Sequence, residues 1–334
     1  MTGHARGLFR DAAPDLPVPP LRVRERLKAL ERSEAAHRAA MLALPCMTML
    51  AHRPAPPRRL DFPFTVGAWN LERCLSPEAS AEVLRREGVS VALLSELDVG
   101  MARTGQRDTC RAIADALGVA SAFGVEFLEL DLGNAVERAF CTDSANAAGF
   151  HGNALLAPAL AHPFLVRLDD EGRWFEEVSP EARIGGRCAI GGWIDIAGKP
   201  VLIVSAHLES NATPDERGHT FSFLLDIIDK EAQGHPVILG GDLNTGLGAV
   251  GDWRAEPLLK DAEGRSYLCH SGQGAETTTR QSRISVNPPR RWKLDWILTR
   301  GLSVGASVIV PAVAEEGTLL SDHDLVAVMV TGLS

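Results

Sequence analysis

Five apolar runs of strand length in this chain each deliver a polar side chain at or near one end, and that recurrence limits the possible folds more than any other feature. FTVGAWN reaches Asn70, VALLSE reaches Glu96, VLIVSAH reaches His207, VILGGDLN carries Asp242 and Asn244, and KLDWIL carries Asp295. Burying such groups without partners costs about 1–3 kcal/mol each, and more for a charge. A strand that only had to fold would not end this way five times over. The difficulty disappears if the strand ends converge, so the runs predict sheets with a polar centre at one edge of the core.

Helical segments with ordinary start and stop signals lie between the runs. Ser76 and Pro77 open one that stops near Gly88, Arg107 to Leu117 ends at Gly118, and a third runs from about Glu216 to Gln233 before Gly234. Strands alternating with helices predict an α/β or mixed α+β domain over residues 61–334. Residues 1–60 read as an N-terminal helical extension with Pro-rich flanks. Pro14, Pro17, Pro19 and Pro20 precede a helix from Leu21 to about Leu44, and Pro54, Pro56 and Pro57 follow it. This extension holds 11 Lys/Arg against 5 Asp/Glu, which leaves −15 on the remainder of a chain of net charge −9. It is either a helix docked on the main domain or a basic arm for a phosphate-bearing partner.

At 334 residues and 45% hydrophobic content the chain can bury a sizeable core. No window approaches about 18 consecutive apolar residues, and no secretory signal is visible, which predicts a cytoplasmic protein without a membrane span. The six cysteines are scattered with no CxxC pair, as expected of buried free thiols. An acidic body repels polyphosphate backbones, and a 5% aromatic content with the single tyrosine Tyr267 offers few stacking platforms. Both features favour a small or lipid-like substrate over nucleic acid.

Taken singly, GDLN is compatible with a turn and SDHD with a cap. In order, WNLE at 69–72, LLSE at 93–96, HGNALLA at 151–157, GRCAI at 186–190, SAHLES at 205–210, GGDLNT at 240–245, KLDWIL at 293–298 and SDHD at 321–324 form a set. This set resembles the endonuclease/exonuclease/phosphatase superfamily, which includes abasic-site endonucleases, pancreatic-type deoxyribonucleases and neutral sphingomyelinases. The resemblance covers about residues 62–332. It implies a four-layer α/β sandwich, with two mostly antiparallel β-sheets packed face to face, helices outside, and the site at one edge.

The resemblance also implies roles. Asn70 and Glu96 would hold the metal, with Glu72 close by and Asp322 contributing directly or through water; such oxygen ligands suit Mg²⁺ or Mn²⁺. Asp242 would activate the attacking water, and Asn244 would donate to the phosphoryl centre. His323 would pair with Asp295, His207 would stand across the phosphate, and Arg187 would clamp its oxygens. Where several relatives carry a tyrosine near the phosphate, this chain reads Phe150, His151, Gly152, Asn153; His151 or Asn153 replaces that contact, or HGN is a structural turn. The partner of His207 is not placed. Glu209 is nearest in sequence, with a surface glutamate as the alternative. Arg103 meets substrate phosphate or forms a surface ion pair, and Glu126, Glu129 and Asp131 read as a solvated face. The activity implied is hydrolysis of phosphate esters, with a nuclease as the alternative and a non-catalytic binding protein of the same fold as the third reading.

Overall fold

The computed structural model describes residues 6–56, 58–169, 172–176, 183–246, 252–285 and 291–334. Pro57, at the end of the second proline cluster, lies outside them.

Two sheets form the body. The first has seven strands in the order Gly7–Phe9, Ala161–Arg167, Cys188–Ile196, Lys199–His207, Val237–Asp242, Asp295–Arg300 and Leu268–His270. The second has nine: Leu302–Val310, Leu325–Leu333, Phe64–Arg73, Val89–Val99, Phe150–Ala157, Ala120–Glu129, Met49–Arg53 and Asp11–Ala13 in order, with Arg183–Gly185 added beside Ala120–Glu129. Three neighbouring pairs are parallel: Lys199–His207 with Val237–Asp242, Phe64–Arg73 with Val89–Val99, and Asp11–Ala13 with Met49–Arg53. The remaining pairs are antiparallel.

Alternation of side chains along each strand sorts the apolar residues into separate cores. Val66, Ala68, Val91, Leu93 and Leu155 of the second sheet meet Ile190, Val201, Ile203, Ile238 and Ile297 of the first, which makes the core between the sheets. The alternate residues Trp69, Leu71, Leu94 and Phe123 face outward, against Leu84 of helix Pro77–Arg86 and Ile113 of helix Thr109–Leu117. On the far side Leu202, Val204, Leu239 and Leu298 pack on Phe221, Leu224 and Ile228 of helix Pro214–Ala232 and on Leu258 of helix Pro257–Gly264. Helix, sheet, sheet, helix is the four-layer sandwich that the motifs implied. The longest helix starts at Pro214 rather than near Glu216, because Thr213 and Glu216 close a capping box around its first turn.

The first 60 residues differ from the single helix expected. There are two helices, Leu21–Lys28 and Glu34–Ala43, the second opened by Ser33, whose hydroxyl accepts from Ala36 N at 3.4 Å. The segment also supplies strands to both sheets. Gly7–Phe9 pairs with Ala161–Arg167, and after Arg10 alone the chain enters Asp11–Ala13 of the other sheet. Its Met47 carbonyl accepts from Nε of the fully buried Arg167 at 2.6 Å, and the same guanidinium reaches Gly186 O at 3.2 Å. This part of the chain is therefore stitched across one edge of the sandwich.

Candidate active site

The alternation that sends Val66 and Ala68 between the sheets sends Asn70 the same way. It does likewise for Asp242 after Ile238, His207 after Val201 and Ile203, Asp295 before Ile297, and Asn153 before Leu155. These side chains meet at one open end of the inter-sheet core, where apolar filling gives way to polar groups. Several are aimed by unusual backbone. Glu72, Arg73 and Cys74 have φ of 44°, 74° and 56°, Glu96 has 57° and Asn244 has 52°. Left-handed non-glycine residues cost of order 1–3 kcal/mol each and persist where surrounding structure enforces them. Glu96 sits where the register of Val89–Val99 shifts between Leu94 and Leu97. Gly241, at φ 134°, makes room beside Asp242, since a Cβ there would lie 2.1 Å from Ala206 O.

Asp242 is the hub. Its Oδ1 accepts from Asn244 N at 3.0 Å, and its Oδ2 accepts from Asn70 Nδ2 at 3.0 Å. Two histidines approach Oδ2, His207 Nε2 at 3.5 Å and His323 Nε2 at 3.9 Å. Each is backed by its own carboxylate. His323 Nδ1 donates to Asp295 Oδ2 at 2.9 Å, and Thr278 Oγ1 donates to the same oxygen at 2.6 Å. His207 Nδ1 donates to Glu126 Oε2 at 3.0 Å. Asn244 Nδ2 is tied to Leu208 O at 2.9 Å, which fixes the carboxamide beside the hub. Burial works against a charged His323, but Asp295 and Asp242 outweigh it and hold its pKa well above the ordinary value. Burial pushes Asp295 up to about 6 despite His323.

Arg187 braces the other histidine. Its Nη1 lies 3.2 Å from His207 Nε2 and 3.3 Å from Glu126 Oε2, and its Nε donates to Glu209 Oε2 at 3.2 Å. Glu209 is thus the partner of Arg187 and of Trp174 Nε1, at 2.8 Å, while Glu126 is the partner of His207. Glu126 and Glu129 are buried rather than part of a solvated face; only Asp131 of that trio is exposed. The cause is tertiary, since Ala120–Glu129 lies inside the second sheet and is covered on both faces.

The oxygen groups expected around a metal lie alongside. Asn70 Nδ2 donates to Glu96 Oε1 at 3.2 Å, and Glu72 N donates to Asn70 Oδ1 at 3.0 Å. Glu96 also pairs with Arg73, and the Glu72 carboxylate accepts from Ser282 and from Arg283 N. Burial pushes Asp322 up to about 7; His323 opposes this, and Glu72 and Glu96 add to it. Glu72 is raised as well, mainly by burial. Among the described residues, Asp242, Asp295 and His323 bring ligating atoms within 4.8 Å of one another.

Of the three expected substrate contacts, Arg103 and His151 sit on a neighbouring cluster, and Asn153 stands at the site beside Glu126. Arg103 is neither a phosphate contact nor a surface ion pair. It is 3% exposed, and its guanidinium is shared among Asp98, Glu129 and Glu137 at 2.7, 2.8 and 3.1 Å. His151 donates from Nδ1 to Asp98 Oδ1 at 2.9 Å, on the same cluster. Asn153 donates to Glu126 Oε1 at 3.2 Å and to Cys188 O at 2.8 Å, while its buried Oδ1 has no hydrogen-bond partner. HGN is part of the strand Phe150–Ala157 and not a turn. Sequence reasoning missed Thr278 and Arg73, and it gave Glu126 and Glu209 other places, a solvated face and a candidate partner of His207.

A two-sheet α/β sandwich with two carboxylate-backed histidines facing one aspartate at its edge defines a phosphoesterase-type architecture. The chain belongs to the Endonuclease/Exonuclease/phosphatase family, whose model matches residues 67–323. Members are generally phosphoester hydrolases that use divalent metals. Among solved structures it is similar to an endonuclease/exonuclease/phosphatase from Beutenbergia cavernae, at 16% identity over 82% of this chain and 72% of that one, with a TM-score of 0.57. It is also similar to the human Nocturnin catalytic domain with bound sulfate anion, at 16% identity, 81% and 93% coverage and a TM-score of 0.52. Truncated TDP2 from Caenorhabditis elegans matches at 14% identity, 81% and 98% coverage and a TM-score of 0.51. No curated protein matches the sequence. Among the described residues no helix is long and apolar enough to cross a membrane.

Proposed function

We propose that this chain is a divalent-metal-dependent hydrolase of phosphate esters, acting on a small or lipid-like phosphate. The observation that carries the reading is Asp242 Oδ2 flanked by His207 and His323, each with a carboxylate behind it. In-line displacement at phosphorus needs a positioned nucleophile on one side, neutralisation of the non-bridging oxygens, and help for the leaving oxygen. Asp242, with both oxygens held by Asn244 and Asn70, orients an attacking water and accepts its proton. His323, kept protonated by Asp295, presents an N–H group to the phosphoryl oxygens, and His207, held by Glu126, stands beside the same oxygen of Asp242. Arg187 adds a guanidinium on the His207 side.

Glu72, Glu96 and Asp322 fit a hard divalent cation. They are oxygen donors, and burial together with mutual repulsion raises Glu72 and Asp322, as expected of carboxylates short of positive charge. Bound there with Asn70, Mg²⁺ or Mn²⁺ would neutralise charge on the phosphate. The Asp242, Asp295 and His323 group suits proton handling better. Asp295 Oδ2 is already occupied by Thr278 and His323, and a cation there would compete with the proton on the imidazole.

The test is phosphate release by purified protein with Mn²⁺ across nucleic acids, inositol phosphates, nucleotides and phospholipids, with Asp242→Asn protein as the blank. Metal-dependent turnover of a small ester that the blank lacks is expected. Equal release by both proteins would remove the assignment, and preference for polynucleotides would favour the nuclease alternative.

A further inference from the structure

A cavity of about 180 Å³ opens beside the catalytic cluster, between the start of helix Pro214–Ala232, Trp174 and the N-terminal segment. Arg187 and Glu209 form its shared wall with the site. Arg187 Nη1 lies 3.2 Å from His207 Nε2, which lies 3.5 Å from Asp242 Oδ2. One guanidinium and one imidazole therefore separate the cavity from the water-activating carboxylate.

The carboxylates that line it are already engaged. Glu209 accepts from Arg187 Nε, Trp174 Nε1 and Asn211 N, at 3.2, 2.8 and 2.8 Å. Glu216 closes the helix cap on Thr213 N at 2.7 Å and meets Arg173 at 3.4 Å. Asp169 accepts from Arg187 N at 3.0 Å, and burial pushes it up to about 7, so its charge is partly withdrawn. The cations are not matched in the same way. Arg6 has no carboxylate partner among the described residues; its guanidinium lies over the Phe223 ring, 4.0 Å from the centroid. His219 likewise has no hydrogen-bond or ion-pair partner among them. Arg173 spends Nη1 on the Asn211 carbonyl at 2.6 Å and makes only the long contact to Glu216. The lining thus sets three arginines against Asp169, Glu209 and Glu216, and leaves Arg6 and His219 without a carboxylate partner among the described residues.

We infer that this cavity is a subsite for a second phosphate group on the same substrate, bound by Arg6, Arg173 and His219, and that the substrate class is a small organic bisphosphate. The inference rests on the phosphoesterase reading above and deepens it. A guanidinium offers two parallel N–H donors to a phosphate, and Arg6, pre-set on an aromatic face, loses little freedom in doing so. Arg6 also gives the N-terminal segment a chemical part in the site, since among the described residues it is the one before 60 that lines this cavity.

The test compares glucose 1,6-bisphosphate with glucose 6-phosphate as competitors of hydrolysis of a p-nitrophenyl phosphate ester. In the wild type the bisphosphate is expected to inhibit at a concentration at least tenfold lower. Arg6→Gln, Arg173→Gln and His219→Ala are expected to shrink that ratio toward one and leave kcat and KM for the reporter unchanged. Arg6 is exposed, so its loss does not threaten the fold. Calorimetry of the same two sugars on Asp242→Asn protein reads the cavity without turnover. A ratio that survives all three substitutions, or equal affinity for the two sugars, overturns the subsite. Failure of the wild type to hydrolyse any ester would overturn the phosphoesterase reading instead, while calorimetry still reports on the cavity.

Discussion

Two buried charge clusters lie side by side in this protein, joined through Arg73 and Glu96, and they are built on opposite terms. Around Arg103 the charges are matched. Asp98, Glu129 and Glu137 surround the guanidinium, Arg73 Nε reaches Glu137 at 3.0 Å, and Arg183 approaches Glu129 at 3.6 Å. Burial would raise all three carboxylates, yet the neighbouring arginines hold each below its ordinary pKa. At the strand ends around Asp242 the balance fails. Asp295 rises to about 6 and Asp322 to about 7, and Asp295 Oδ1 is buried without a hydrogen-bond partner. Self-sufficient charge is what a fold retains for itself; charge left short of a partner is what a ligand or a reaction can complete.

Substitutions at the unbalanced cluster should give the largest functional effect. Asp242→Asn and His323→Ala are each expected to lower kcat by roughly 10²-fold or more with circular dichroism unchanged, and the double variant should lose far less than the product of the two. A well-folded variant turning over near the wild-type rate would place the chemistry elsewhere. At the balanced cluster, Arg103→Met should cost about 3–5 kcal/mol of stability in urea melts by leaving buried carboxylates uncompensated. Turnover per folded molecule should hardly change; if kcat collapses in the folded fraction, the division between the clusters is wrong.

Metal should separate the two regions further. EDTA is expected to abolish activity and Mn²⁺ to restore it, while Mn²⁺ at a hundred times its Kd should stabilise the wild type by about 2.7 kcal/mol. That gain should vanish in a Glu96→Gln, Asp322→Asn protein and persist in Arg103→Met, as read by thermal melts. The smallest effect concerns Asp169, which burial and Glu209 raise to about 7 and which Arg187 and Arg167 pull the other way. A folded pKa above the unfolded value means that the protonated form favours folding. Its contribution is complete below about pH 4, the ordinary carboxylate range, and is lost as pH rises through 7. Asp169→Asn should flatten the fall in stability between these limits, and an unchanged pH profile would show that Asp169 is not held in its neutral form.

Much of this site was legible because the residues that build it end apolar runs. Val66, Ala68 and Asn70 share a strand parity, as do Ile238 and Asp242, so a polar residue on an inward-facing position announces itself without any structure. Glu126 did not announce itself. It stands near Glu129 and Asp131, and an acidic run reads as solvated unless one knows that sheet neighbours cover both faces of its strand. Arg103 failed for the converse reason, as a cation in a glycine-containing loop, two of whose three partners, Glu129 and Glu137, lie 26 and 34 residues further along the chain. The strands Gly7–Phe9 and Asp11–Ala13 are three residues each, too short to carry an alternation, so the stitching of the N-terminal segment into both sheets was invisible.

The position of the strand Leu325–Leu333, between Leu302–Val310 and Phe64–Arg73 in the larger sheet, has a consequence for how the molecule is made. A ribosome adding about 5–20 residues per second releases Phe64–Arg73 on the order of tens of seconds before the neighbour that it will pair with. For that interval the nascent sheet carries an open edge of the kind that recruits other strands, and a chaperone would find its client there. His323 is translated just ahead of the missing strand, so the candidate site and the sheet that supports it are completed almost together. A ribosome that stalls before this point therefore leaves a chain without His323, however much of the sandwich it has already assembled.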